Sequence, residues 1–159
     1  GYKDDSCWAR GQAWGVYGTA ISYRYTRRPE YLDAFRRVLA YYLERLPEDL
    51  VPYWDMTFTS GTEEPRDTCS SVPSSRSCFS SSSVRSSICP SVPVLGSVAA
   101  HYAVKEGPQG IGLVRHGTYS KKSPYNTCTP EGVDECVSWG DYFYMEALTR
   151  LTKDWELYW

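Results

Sequence analysis

Between residues 6 and 26 the apolar positions are Trp8, Ala9, Ala13, Trp14, Val16, Tyr17, Ala20, Ile21 and Tyr23. They cover most of a helical circumference, which predicts a helix surrounded by protein. Asp4, Asp5 and Ser6 suit its N-terminal cap and dipole. Gly11, Gly15 and Gly18 lower its intrinsic propensity, by up to about 1 kcal/mol each relative to Ala. Close packing against a neighbour or a ligand would offset that cost.

The following segment has a different pattern. Pro29 suits the first turn of a second helix. From there Tyr31, Leu32, Phe35, Val38, Leu39, Tyr42, Leu43 and Leu46 recur at helical spacing, with Arg36, Arg37, Glu44 and Arg45 largely on the other side. This is a one-sided amphipathic helix ending near Pro47. A nearly all-apolar helix followed by a one-sided one is the order expected of an inner and then an outer helix of a toroid. "LVPYWDMTFTSGTEEPRD" reads as a loop punctuated by Pro and Gly and carrying Tyr53, Trp54 and Asp55. At the C-terminal end, "SWGDYFYMEALTRL" (138–151) predicts another helix. Ser138 and Asp141 form an acidic variant of a capping box. Tyr142, Met145, Leu148 and Leu151 mark its apolar face, widened by Phe143 and Ala147.

The stretch 68–94, "TCSSVPSSRSCFSSSSVRSSICPSVPV", breaks this order. Nearly half of it is Ser, and it has neither helical nor strand periodicity. By composition it is a disordered linker. Such a linker inside a helical toroid would leave neighbouring apolar faces bare. The segment is therefore expected to be non-native, the product of a reading-frame slip that later restores itself. Translation of the other two frames tests this, since one of them should hold an Ala- and Leu-rich helix. Order is expected to return within "LGSVAAHYAVKEG", which can hold a short helix.

Charge and composition narrow the function. The formal charge is −2 at pH 7, so no basic field points to nucleic acid. No apolar run is long enough to span a membrane, and no secretory leader is visible, so the expected location is the cytoplasm. The six cysteines are even in number, but Cys69, Cys78 and Cys89 share one low-complexity tract while Cys7, Cys128 and Cys136 lie elsewhere, which argues against a disulfide framework. His101 and His116 lack zinc-ligand spacing with them, so no metal is expected. The 14 Tyr and 6 Trp suit either a core or a sugar-binding surface, since these rings pair a flat apolar face with a polar tip.

One cluster is more specific. "DDSCWARGQAWGVYG" (4–18) resembles the W-x-R-G-Q-A-W-G-x-Y-G segment of the unsaturated glucuronyl hydrolases, glycoside hydrolase family 88. "YRYTRRPEYLDAFRRVLAYYLERLPEDLVPYWD" resembles the outer helix and loop that follow it, "EEPRD" the start of the next inner helix, and "SWGDYFYMEALTRL" the last helix. The resemblance covers roughly 1–67 and 98–159. It implies an all-α fold, a partial (α/α)6 barrel of the six-hairpin glycosidase type, here about half of the toroid in one domain interrupted at 68–94. It implies the C-terminal half of an enzyme that releases a 4,5-unsaturated uronic acid from the non-reducing ends of oligosaccharides left by polysaccharide lyases. The chemistry it implies is hydration of the double bond, with an aspartic acid as general acid and no cofactor.

By the same resemblance the substrate contacts are Arg10 and Trp14, with Trp8, Gln12 and Trp139 as further candidates. A guanidinium is a planar fork suited to a carboxylate or sulfate, and Trp14 lies one helical turn from it. The competing reading is that Arg10 pairs with an inner-helix carboxylate and both tryptophans are core. No catalytic residue is assigned, because no position here matches the family's two catalytic aspartates. Asp4, Asp5 and Asp141 read as capping residues, Asp55 and His116 as solvated loop groups with a place at the mouth as the alternative, and Lys121 and Lys122 as wet surface or a sulfate contact. The expected partner is an unsaturated uronyl oligosaccharide, with a complementary half barrel or self-association as a further possibility. A non-catalytic remnant or a helical sugar-binding or interaction module stays open as the alternative function.

Overall fold

The structure is a computed structural model, and it describes residues 1–71, 91–105 and 112–153. Four helices order these residues: α1 (Ala9–Thr26), α2 (Pro29–Glu44), α3 (Ser91–Ser97) and α4 (Ser138–Thr152). A π-helical turn, Val98–Tyr102, continues α3, and residues 68–71 form a further helical turn. Among the described residues strand pairing occurs only as isolated bridges, such as Trp8 with Asp55 and Gly117 with Glu135.

α1 and α2 are joined by a sharp turn. Arg27 adopts a left-handed conformation, φ 57°, and its N–H returns to the Tyr23 carbonyl, closing the helix end. Arg28 is extended, as a residue before proline must be, and Pro29 starts α2. The two helices pack through Ala13, Val16 and Ala20 of α1 against Phe35 and Tyr42 of α2, with Met56 from the next loop. Gly15 permits this approach, because a Cβ there would lie 3.3 Å from Val38 Cγ1. A second core joins Val51, Leu95, Val98, Val114, Tyr144 and Ala147. Tyr42 Oη donates to the Ser70 carbonyl at 3.1 Å, tying α2 to the turn at 68–71.

Several sequence expectations change. Among the described residues α1 is not enclosed on all sides: Trp14 and Tyr25 are about half exposed. Asp4, Asp5 and Ser6 do not cap it. Its first turn has no side-chain cap, and Trp8 occupies the cap position. Instead the loop 54–56 brackets the helix start, with Ala9 N–H donating to the Trp54 carbonyl and Met56 N–H to the Cys7 carbonyl. Asp5 pairs with Lys3, and Ser6 turns its hydroxyl to Asp55. α4 likewise lacks a side-chain cap from Ser138 or Asp141. Asp141 accepts hydrogen bonds from the Leu113 and Val114 N–H groups and docks that segment. The buried side of α4 runs through Gly140, Tyr144 and Ala147, whereas Tyr142, Met145 and Leu151 are exposed. The packing of α3 and Val114 selects that side, which the spacing of apolar residues alone does not.

The non-native segment expected at 68–94 lies mostly outside the described residues. Of its described residues, Thr68, Cys69, Ser70, Ser71 and Val94 are buried, whereas Val92 is exposed. The helix expected within 95–107 is present as the end of α3 and its π-helical turn.

Candidate active site

Arg10 is the centre of the candidate site. It sits in the first turn of α1 and is 4% exposed. Such an arginine requires a counter-charge, since an unpaired buried cation is costly. Asp67, fully buried just before the helical turn 68–71, supplies it. Asp67 Oδ2 accepts from Arg10 Nε at 3.3 Å and from Nη2 at 3.1 Å. Nη2 also donates to the Thr118 carbonyl at 2.6 Å, and Asp67 Oδ1 accepts from the Thr118 N–H at 3.2 Å. Burial pushes the Asp67 carboxyl above the usual carboxylate range, opposed by Arg10 and by the Thr118 N–H. Removing either partner of such a pair typically costs about 3–5 kcal/mol.

Aromatic rings flank the guanidinium. Arg10 Cζ lies 5.2 Å from the Trp8 ring centroid and 5.3 Å from that of Trp139, within cation–π range. Trp8 meets Trp14 edge to face at 5.3 Å, and Tyr119 meets Trp139 the same way at 6.0 Å. Gly11 leaves room for Trp8 to lie back along α1, since a Cβ there would sit 3.3 Å from the indole. Gly132, at φ +100°, leaves room for the Tyr119 ring, which a Cβ would approach to 2.7 Å. Trp14, Tyr119 and Trp139 keep about two fifths to half of their surface exposed. The result is an exposed aromatic surface backed by a buried, paired cation.

Of the sequence candidates, Arg10, Trp8, Trp14 and Trp139 come together and Gln12 does not. Gln12 Nε2 donates to the Val38 carbonyl at 2.8 Å, and its Oε1 accepts from Cys7, so this amide lies between α1 and α2. Asp55 is buried rather than solvated. It accepts from Tyr2 N–H at 2.7 Å, Ser6 Oγ at 2.7 Å and Thr57 N–H at 3.0 Å. Burial alone would raise its pKa, but these hydrogen bonds outweigh burial and hold it below the usual carboxylate range. His116 is partly exposed and pairs through Nδ1 with Asp134, and its ring meets Tyr102 edge-on. Lys121 Nζ lies 3.5 Å from Glu64, and Lys122 is exposed. Asp67, Thr118 and Tyr119 join the site without having been singled out in the sequence. For Asp67 the signal was present, since a buried arginine demands a carboxylate and "EEPRD" supplies one at a helix start. Among the described residues no group of three or more His, Cys, Asp or Glu is placed to hold a metal ion.

A packed helical hairpin followed by further helices, with no strand among the described residues, is a partial (α/α)6 barrel of the glycosidase type. The solved structures it matches have this fold. It superposes along its whole length on the unsaturated glucuronyl hydrolase of Streptococcus agalactiae, TM-score 0.88 and 40% identity, covering 41% of that chain. A mutant form of that enzyme complexed with dGlcA-GalNAc6S matches equally well. The unsaturated glucuronyl hydrolase of Bacillus sp. GL1 matches with TM-score 0.81 and 29% identity over 94% of this chain and 40% of its own. In sequence the chain is 41% identical over 167 aligned residues to the unsaturated chondroitin disaccharide hydrolase of Streptococcus agalactiae, with all of this chain covered. It is 30% identical to the unsaturated glucuronyl hydrolase of Bacillus sp. GL1. No protein-family model matches. The chain is homologous along its whole length to the unsaturated glucuronyl hydrolases, glycoside hydrolase family 88, and spans about 40% of the length of these curated relatives.

Proposed function

We propose that this chain forms the C-terminal, substrate-binding part of an unsaturated glucuronyl hydrolase. That enzyme releases a 4,5-unsaturated uronic acid from the non-reducing end of lyase-generated oligosaccharides by hydrating the double bond. The observation that carries the reading is the whole-length match to a hydrolase solved with dGlcA-GalNAc6S. The site supports it: the half-exposed indoles of Trp14 and Trp139 offer flat apolar faces to a sugar ring. Arg10 behind them favours the carboxylate that distinguishes a uronic acid. Trp8 braces Trp14 from the side, and Gln12 serves by fixing α1 against α2. No position in this sequence matches the family's catalytic aspartates, so the general acid is not assigned to this chain.

The partner this reading requires is an unsaturated uronyl oligosaccharide, with neither nucleic acid nor membrane. Among the described residues no helix is long and apolar enough to cross a membrane. The described cysteines Cys7, Cys69, Cys128 and Cys136 are all free thiols, which suits a reducing compartment such as the cytoplasm.

The test is a titration of the purified chain with dGlcA-GalNAc6S, following tryptophan fluorescence and the ultraviolet absorbance of the unsaturated uronate in the same cuvette. Saturable quenching with absorbance loss no faster than the buffer blank is expected. Absence of saturable binding overturns the reading. Turnover above the blank would place a general acid within these residues.

A further inference from the structure

The arrangement around Arg10 restricts how this cation can meet a ligand. A free guanidinium offers two-nitrogen edges to a carboxylate, but here one edge is already occupied. Nε and Nη2 face Asp67 Oδ2 at 3.3 and 3.1 Å, and Nη2 spends its other proton on the Thr118 carbonyl at 2.6 Å. Among the described residues no hydrogen bond is made by the third nitrogen, Nη1. The rings of Trp8 and Trp139 flank the same group.

Asp67 is itself held from several sides. Its N–H donates to the Pro52 carbonyl at 3.0 Å, and its Oδ1 takes the Thr118 N–H. Thr118 Oγ1 returns to the Arg66 carbonyl at 2.8 Å. Arg10, Asp67 and Thr118 thus form a closed ring of hydrogen bonds joining α1, the turn before residues 68–71 and the loop that carries Tyr119. An arginine held by two acceptors and flanked by two indoles has little rotational freedom left.

We propose that Asp67 is a positioning residue for Arg10: it engages the Nε–Nη2 edge so that Nη1 alone, beside the indoles of Trp8 and Trp139, is presented to a single carboxylate oxygen of the sugar. This inference rests on the sugar-binding reading above. It makes preference for a carboxylate depend on a residue that never touches the ligand. It also explains the burial of Asp67, because a solvated carboxylate would swing and release the guanidinium. Two charges of opposite sign close together leave the site nearly neutral, so the carboxylate is recognised by direction more than by net field.

The experiment compares two probes on the full 159-residue chain, dGlcA-GalNAc6S and its uronate methyl ester. The sulfate is common to both, so the ratio of their affinities reports the carboxylate alone. The parent chain should prefer the free acid by about tenfold or more, the usual scale of one charge-assisted hydrogen bond. Asp67→Asn keeps the shape but cannot accept from Arg10 and Thr118 together, and should bring that ratio close to one. Asp67→Glu keeps the charge and shifts it by one methylene, and should reduce the ratio several-fold. It serves as the deciding variant if circular dichroism shows that Asp67→Asn unfolds. Near-ultraviolet circular dichroism should also lose intensity in the indole bands in both variants, as Trp8 and Trp139 lose their fixed cation. A merely structural Asp67 would weaken both probes equally and leave the ratio unchanged, which would overturn the proposal. An increased ratio would overturn it too, because Asp67 would then be acting as a counter-charge. No binding of either probe by the parent chain overturns both this proposal and the reading on which it rests.

Discussion

Ser6 Oγ donates to Asp55 Oδ2 at 2.7 Å, joining the turn before α1 to the loop that follows α2. With Tyr2 and Thr57 it makes Asp55 the anchor of the N-terminal turn. The hydrogen bonds hold the folded-state pKa of Asp55 below its unfolded value. A lowered carboxyl contributes stability above the unfolded pKa and loses it as pH falls through the folded value. The melting temperature should therefore decline on acidification below the usual carboxylate range. Asp55→Asn should lower the neutral-pH melting temperature and flatten that decline. An acid limb of unchanged slope in the variant would show that other groups carry it.

Cys69 fits between two glycines. A Cβ on Gly117 would lie 2.9 Å from Cys69 Sγ, and one on Gly140 2.8 Å. Gly140→Ala gains up to about 1 kcal/mol of helix propensity, but the clash with a buried sulfur should cost about 1–3 kcal/mol, so net destabilisation is expected. Combining it with Cys69→Ala should recover most of the loss. Additive effects in chemical denaturation would argue against direct contact.

The glycines of α1 differ in purpose. Gly15 lies against Val38, whereas a Cβ on Gly18 would meet nothing within 4 Å. Gly18→Ala should stabilise the chain by up to about 1 kcal/mol through helix propensity. Gly15→Ala should gain little or lose, because it forces Val38 to move. Thermal melts of the two variants side by side decide this; a loss at position 18 would mean that something packs there.

Large apolar side chains are exposed on α1 and α4. Trp14 and Tyr25 stand out on α1, and Tyr142, Met145 and Leu151 on α4. Each large side chain left exposed forgoes about 1.5–3 kcal/mol of burial, against a typical net stability of about 5–15 kcal/mol. The isolated chain should melt broadly and sediment as concentration-dependent oligomers. A monomer with a sharp two-state transition would contradict this expectation.

The helices were legible where periodicity and punctuation agreed. Pro29 and the one-sided pattern after it located α2, and the apolar pattern before it located α1 though not its exposed side at Trp14 and Tyr25. Side-chain destinations were less legible, because short polar residues near a helix start serve several geometries equally well. Asp141 and Ser6 have suitable capping chemistry, yet they bond to segments distant in sequence. The buried side of α4 was misread for a related reason. Tyr142 and Met145 are apolar, but only the packing of α3 and Val114 selects Tyr144 instead. In the candidate site, the tryptophans and Arg10 were visible as a local cluster. Thr118 was not, since it contributes mainly backbone groups, which no side-chain pattern announces.

The first residues of this chain are secured by some of the last described before α4. Ser123 donates its hydroxyl to the Tyr2 carbonyl, and Asn126 Nδ2 donates to the Gly1 carbonyl at 3.0 Å. Such contacts have a history as well as a geometry, because during synthesis the two segments emerge at different times. At about 5–20 residues per second, the ribosome delivers Ser123 roughly 6–25 s after Tyr2. Throughout that interval the Gly1 and Tyr2 carbonyls lack these two donors and hydrogen-bond water instead. Closure of contacts so distant in sequence is entropically slow. These two hydrogen bonds are therefore late contacts, made only after α1 and α2 have both been synthesised.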